Sequence, residues 1–168
     1  MNEVPNQNII YNSRVLVLGG LNMGLITKVS RIPEEGETLR ANEFYTSSGG
    51  KGATQAVAAS RNLSEVKMVG KVGDDIFGKS LVETLKDDKI DTDNIAIDFT
   101  SSTGTGVIIV DADSQNRIIA TYGANLNCDY QQLQSINKFI DWADILMLQM
   151  EIPFELSVQA AIIAKSNN

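Results

Sequence analysis

Short apolar runs alternate with longer amphipathic stretches along this chain. Arg14-Val15-Leu16-Val17-Leu18-Gly19-Gly20 is apolar and ends in glycines. That pattern predicts a strand buried on both faces, as in a parallel α/β sheet. Leu25 to Ser30 predicts a second short strand, Pro33 to Thr38 a turn, and Leu39 to Thr46 a further extended segment. Two strands before any helix do not fit a simple strand–helix alternation, and predict a hairpin standing off the main sheet. An alanine-rich stretch then predicts a helix to about Asn62. Glu65 to Gly73 predicts a strand and Ile76 to Asp87 a helix, with Phe77, Leu81 and Leu85 at helical spacing.

The second half repeats these signals. Asp91 to Asp98 predicts a strand. Val107 to Val110 and Arg117 to Tyr122, joined by the polar stretch Asp111 to Asn116, predict a second hairpin. Gly123-Ala124-Asn125 predicts a turn. Asp129 and Gln132 form a capping-box pair heading a helix to about Asp141. Asp144 to Met150 predicts another buried strand, and Pro153 opens a final helix. The polar segment 1–13 is expected to be a disordered leader, and 14–168 the ordered part.

Composition narrows the function. The 168 residues carry a net charge of −7 and no histidine. The acidic balance argues against nucleic acid, which needs a clustered basic face. Without histidine there is no Ser-His-Asp triad, no histidine general base and no histidine-containing metal site within the sequence. One cysteine, Cys128, leaves no intramolecular disulfide, and no apolar run approaches the roughly 20 residues that span a bilayer. Both point to the cytoplasm, with no membrane partner.

The candidate chemistry centres on Ser47-Ser48-Gly49-Gly50-Lys51-Gly52-Ala53-Thr54-Gln55. Glycines let a ligand approach the main chain, and the helix that follows presents free N–H groups and a partial positive charge to an anion. Lys51 adds a full charge. The stretch lacks the Ser or Thr that follows Gly-Lys in a Walker loop, and it fails the last position of a dinucleotide fingerprint. Asn22 and Glu151 follow the C-terminal ends of two predicted strands, where ligands sit in open α/β sheets. Asn22 reads equally well as a turn residue. Capping outweighs metal or acid–base chemistry at Asp74-Asp75, because a helical pattern follows. Asp111 and Asp113 lack the glycine and closing glutamate of a calcium loop.

Seven segments in order resemble the ribokinase family of ATP-dependent sugar kinases. They are Gly19-Gly20-Leu21-Asn22-Met23, Pro33-x-x-Gly36-Glu37-Thr38, Gly49-Gly50-Lys51-Gly52-Ala53-x-Gln55-Ala56, Val72-Gly73-Asp74-Asp75-x-Phe77-Gly78, Thr103-Gly104-x-Gly106-Val107, Gly123-Ala124-Asn125 and Leu148-Gln149-Met150-Glu151-x-Pro153. The resemblance implies a three-layer α/β/α sheet with a small β-sheet lid, here truncated, the lid strands lying near 25–46 and 106–122. It implies transfer of the ATP γ-phosphate to a pentose such as D-ribose, with Mg2+ and a monovalent cation such as K+, and a homodimer through the lid. A non-catalytic sugar-binding or dimerising relative, or a kinase for another sugar or a nucleoside, is the alternative.

By matching position, Asn22, Gly50, Lys51, Gly52 and Glu151 would bind sugar hydroxyls. Two positions depart from the family: Gly24 stands where an Asp is usual and Thr54 where an Asn is usual. A lost hydrogen bond to a charged group costs roughly 1.5–3 kcal/mol, or about one to two decades of affinity. The family's catalytic aspartate lies in a Gly-Ala-Gly-Asp stretch that this sequence does not contain. No catalytic residue and no metal ligand is therefore assigned. The nucleotide and cation sites are expected past residue 168, and half a sheet is expected to leave an apolar edge exposed.

Overall fold

The computed structural model describes residues 13–167. Ser13 opens the first strand; the rest of the expected leader lies outside the described residues. Eight strands and four α-helices follow: β1 (Ser13–Leu18), β2 (Asn22–Lys28), β3 (Glu43–Gly49), α1 (Lys51–Arg61), β4 (Ser64–Gly73), α2 (Ile76–Asp87), β5 (Asp91–Asp98), β6 (Gly104–Val110), β7 (Asn116–Thr121), α3 (Tyr130–Phe139), β8 (Ile145–Leu148) and α4 (Phe154–Ser166). A short 3-10 turn, Gly123–Asn127, precedes α3.

Four strands form a parallel sheet in the order β5-β4-β1-β8. The alternation along β1 explains the layering. Val15 and Val17 point into one apolar cluster with Ala53 and Ala56 of α1 and Leu81 and Leu85 of α2. Leu16 and Leu18 point into the other, with Leu133 and Ile136 of α3 and Leu156 and Ala160 of α4. A strand covered on both faces must be apolar at successive positions, which is why this run lacks a period-two pattern. The α/β/α reading of the sequence is therefore correct.

The two displaced hairpins are present, but they are not separate. Strand β2 pairs with β3 antiparallel and with β6 parallel, and β6 pairs with β7 antiparallel. The result is one mixed sheet in the order β3-β2-β6-β7. The parallel β2–β6 contact joins segments some eighty residues apart in sequence, and no local pattern announces it. Three expectations shift with it. Asn22 is the first residue of β2, not a loop residue. Residues 39–41 are not strand, and β3 begins at Glu43. Strand β8 covers only Ile145–Leu148, and it lies at the sheet edge with Ile145 47% exposed, not buried as expected.

The two sheets are tied by a half-buried polar knot. Asp75 caps α2, its side chain accepting from the Gly78 N–H at 2.8 Å. The same carboxylate accepts from the Thr103 N–H at 2.8 Å and the Thr103 hydroxyl at 2.7 Å. Thr103 is fully buried, and its hydroxyl oxygen accepts from the Gly73 N–H. Burial pulls the Asp75 pKa upward, but these donors together hold it below the usual value. Removing this carboxylate strands donors away from water. Asp75→Ala is expected to lower stability by about 1–3 kcal/mol, read from the midpoint of urea unfolding.

Cys128 lies in the apolar cluster of α3 and α4, and burial pushes its thiol up to about 12. Only the thiolate is nucleophilic. Iodoacetamide at about pH 8 is expected to leave folded Cys128 unmodified and to label it after denaturation, as followed by intact mass.

Candidate ligand-binding site

A cavity of about 730 Å³ opens between the inner face of the mixed sheet and the N-terminus of α1. Its floor is built around Glu151, which follows β8 and is 6% exposed. One carboxylate oxygen, Oε2, accepts from the Lys51 backbone N–H at 2.6 Å and from Asn22 Nδ2 at 3.1 Å. The other, Oε1, accepts from Lys51 Nζ at 2.7 Å. This arrangement alters the reading of the loop as an anion site. The α1 N-cap is Gly50, which has no side chain to offer. Glu151 reaches in from a position 100 residues away and supplies the negative charge that a helix N-terminus favours. The anion at this helix end belongs to the chain itself.

Lys51 is held differently. Its side chain is 66% exposed although its amine meets a buried carboxylate. The hydrogen bond to Glu151, then the carboxylate's charge, raises its pKa above the usual lysine value. Lys51 therefore stays charged through neutral pH, and its share of the pairing is lost as pH rises past the elevated value. A carboxylate has roughly four acceptor positions and an ammonium three donors. Glu151 and Lys51 thus keep unused capacity facing the cavity.

The structure brings together most of the residues the sequence singles out. Asn22, Gly50, Lys51 and Glu151 line the cavity, as do Gly24 and Thr54. Gly52 does not. It is buried where α1 crosses the β1–β2 connection, and a methyl group there would lie 2.7 Å from Gly19 C and 2.8 Å from Gly20 N. Gly50 has φ of +93°. A methyl group there would meet the Gly20 carbonyl oxygen at 2.5 Å. Glycine is required at both positions, at one by close packing and at the other also by backbone conformation.

Asn125 is a residue the sequence reading left as a plain turn. It is fully buried beneath Asn22. Its Oδ1 accepts from the Leu21 N–H at 2.9 Å. Its Nδ2 lies within hydrogen-bonding distance of the Leu21 and Tyr122 carbonyls and, at 2.9 Å, of Asn22 Oδ1. An amide donor on Asn22 Oδ1 fixes that side chain with Nδ2 toward Glu151. The available signal was the placement of Asn125 in a Gly-Ala-Asn turn that matched the family pattern. Gln55 and Gln149 were also missed. Their amides meet at 2.6 Å beside the same cavity.

Residues 12–168 match the pfkB family of carbohydrate kinases. The chain belongs to the pfkB family. Among pfkB relatives, it is 38% identical over 147 residues to a ribokinase of Schizosaccharomyces pombe, covering 84% of this chain and 46% of the relative. It is 35% identical over 153 residues to a deoxyribokinase of Salmonella typhi, covering 91% and 50%. The structure of Arabidopsis thaliana ribokinase complexed with ribose and ATP superposes with a TM-score of 0.81 at 31% identity, covering 92% of this chain and 51% of that one. The chain spans about half the length of the curated pfkB relatives it matches. Among the described residues no helix is long and apolar enough to cross a membrane.

The close contact at Gly52 sets a test of the floor. Gly52→Ala forces a methyl group against backbone atoms that cannot rotate away. It is expected to lower stability by about 1–3 kcal/mol, measured by thermal or urea unfolding.

Proposed function

We propose that this chain carries the sugar-binding and lid portion of a ribokinase-type kinase, which transfers the ATP γ-phosphate to a hydroxyl of a pentose such as D-ribose. The observation that carries the reading is the Glu151 carboxylate, buried on the cavity floor and clamped by Lys51 and Asn22. The pfkB relatives named ribokinase support it. Sugars need several polar groups converging on a mostly apolar cavity. Here a hydroxyl donates to Glu151 Oε1 and accepts from the exposed Lys51 ammonium. A second accepts from the free hydrogen of Asn22 Nδ2.

The mixed sheet is assigned the role of lid. Its outward face carries Phe44, Val107 and Ile119, all exposed, and this is the surface on which a second copy would pack. ATP, Mg2+ and K+ are assigned to the whole enzyme. Among the described residues no three His, Cys, Asp or Glu side chains come together.

The role of the chain's own residues is to bind and orient the sugar. The purified 168-residue chain is expected to bind D-ribose in calorimetry. Glu151→Gln, which removes the charge facing Lys51, is expected to weaken binding by about one to two decades. No ribose-dependent ADP production is expected from the chain alone, since it lacks a Gly-Ala-Gly-Asp stretch. Binding that survives Glu151→Gln unchanged would move the sugar elsewhere.

A further inference from the structure

Strand β4 carries one residue that its surroundings do not call for. From Met68 to Gly73 every position is buried, and all but one are apolar or glycine. The exception is Lys71, 8% exposed and the one buried Lys or Arg among the described residues. A buried ammonium is costly unless it is paired and hydrogen-bonded. Such a local exception points to a functional or a strained site.

The ammonium has two partners. It donates to the Asn127 carbonyl and, at 2.9 Å, to Asp129 Oδ2. The second contact does not account for it, because the α3 cap is complete without Lys71. Asp129 Oδ1 accepts from the Gln131 N–H at 2.8 Å, and Gln132 Oε1 accepts from the Asp129 N–H at 2.8 Å. The Asp129 side chain is 60% exposed, so water would serve its other oxygen. The first contact is different. Asn127 ends the 3-10 turn Gly123–Asn127, and that turn carries Asn125.

The turn is tied at both ends. At its start the Ala124 N–H donates to the Ser102 carbonyl at 2.8 Å. At its end Asn127 Nδ2 donates to Asp98 Oδ2 at 2.7 Å, on the edge strand β5. Lys71 joins the same end to β4, the strand beside β1. Leu126 and Asn127 are exposed and gain little from burial, so these polar ties fix where they lie. Between the two ends Asn125 accepts from the Leu21 N–H and meets Asn22 Oδ1.

We propose that Lys71 is a positioning residue for the sugar site: its ammonium holds the Asn127 carbonyl, the turn thereby holds Asn125 beneath Asn22, and Asn22 is kept with Nδ2 on Glu151. The proposal rests on the sugar site described above. Lys71 does not line the cavity, so it acts only through this chain of contacts.

The test uses the 168-residue chain with two readouts, D-ribose affinity by calorimetry and amide hydrogen exchange. The Leu21 N–H is bonded to Asn125 Oδ1 and reports directly on the clamp. Lys71→Met keeps an unbranched side chain and removes the ammonium. It is expected to speed exchange at Leu21 by at least about tenfold, while the ladder amides of β1 change by less than about twofold. Ribose affinity is expected to fall by about fivefold or more. Lys71→Gln is expected to act in the same sense and serves if Lys71→Met does not fold. An unchanged Leu21 rate, a rise shared equally by β1, or an unchanged ribose affinity overturns the assignment of Lys71 and leaves the sugar site standing. A folded parent chain that binds no ribose overturns the sugar site and this role with it.

Discussion

The carboxylate of Glu151 is the constraint on which the site depends. It is placed by the end of β8, satisfies the first N–H of α1, and holds the amide of the first residue of β2. Three segments far apart in sequence are thereby fixed to within a hydrogen-bond length of one another. A buried charge is tolerated only where it is paired and hydrogen-bonded, and here a helix end, an ammonium and an amide share that work. Asn125 then fixes Asn22 from beneath. The result is a polar floor whose free positions face in one direction.

The two sheets divide the labour. The parallel sheet, coated on both sides by helices, supplies strand ends at which the floor is assembled. The mixed sheet supplies the opposing wall, and its residues alternate between a face toward the cavity and a face toward water. The Asp75–Thr103 knot joins the two where α2 starts and β6 is about to begin. The wall therefore starts from a position set by a hydrogen-bonded carboxylate, just as the floor does.

Much of this was legible in the sequence. The apolar run at Val15–Leu18 gave a doubly covered strand because its neighbours in sequence leave no polar face. Asp75 and Asp129 announced the helices they cap, and the Asp129–Gln132 capping box is present. Asn22, Lys51 and Glu151 converge, as their places after predicted strands and in the glycine loop suggested. The rest depends on pairings that no short window contains. The joining of the hairpins through β2 and β6 is a register between distant strands. The edge position of β8 reflects which neighbours it has, not what it is made of. Gly52 was assigned to the ligand because a glycine beside a lysine reads as a binding loop, and only the crossing of α1 over Gly19 and Gly20 reveals it as a packing glycine. Asn125 was passed over because a turn asparagine and a buried clamp look alike until the surroundings are known.

The central position of β1 bears on how the chain reaches this state. Arg14 at its start meets Asp144, 130 residues later, and its other flank meets β4. This apolar strand is thus among the first made, and it waits for its last neighbour until β8 is made. Contacts of such long sequence separation carry a loop-closure cost before they return any stabilisation, so parallel sheets of this kind assemble slowly. During synthesis the Val15–Leu18 segment is an unpaired apolar edge until β4 arrives, and it stays open on one side until β8 does. The interval between those two events is when this chain is most exposed to pairing with another copy of itself.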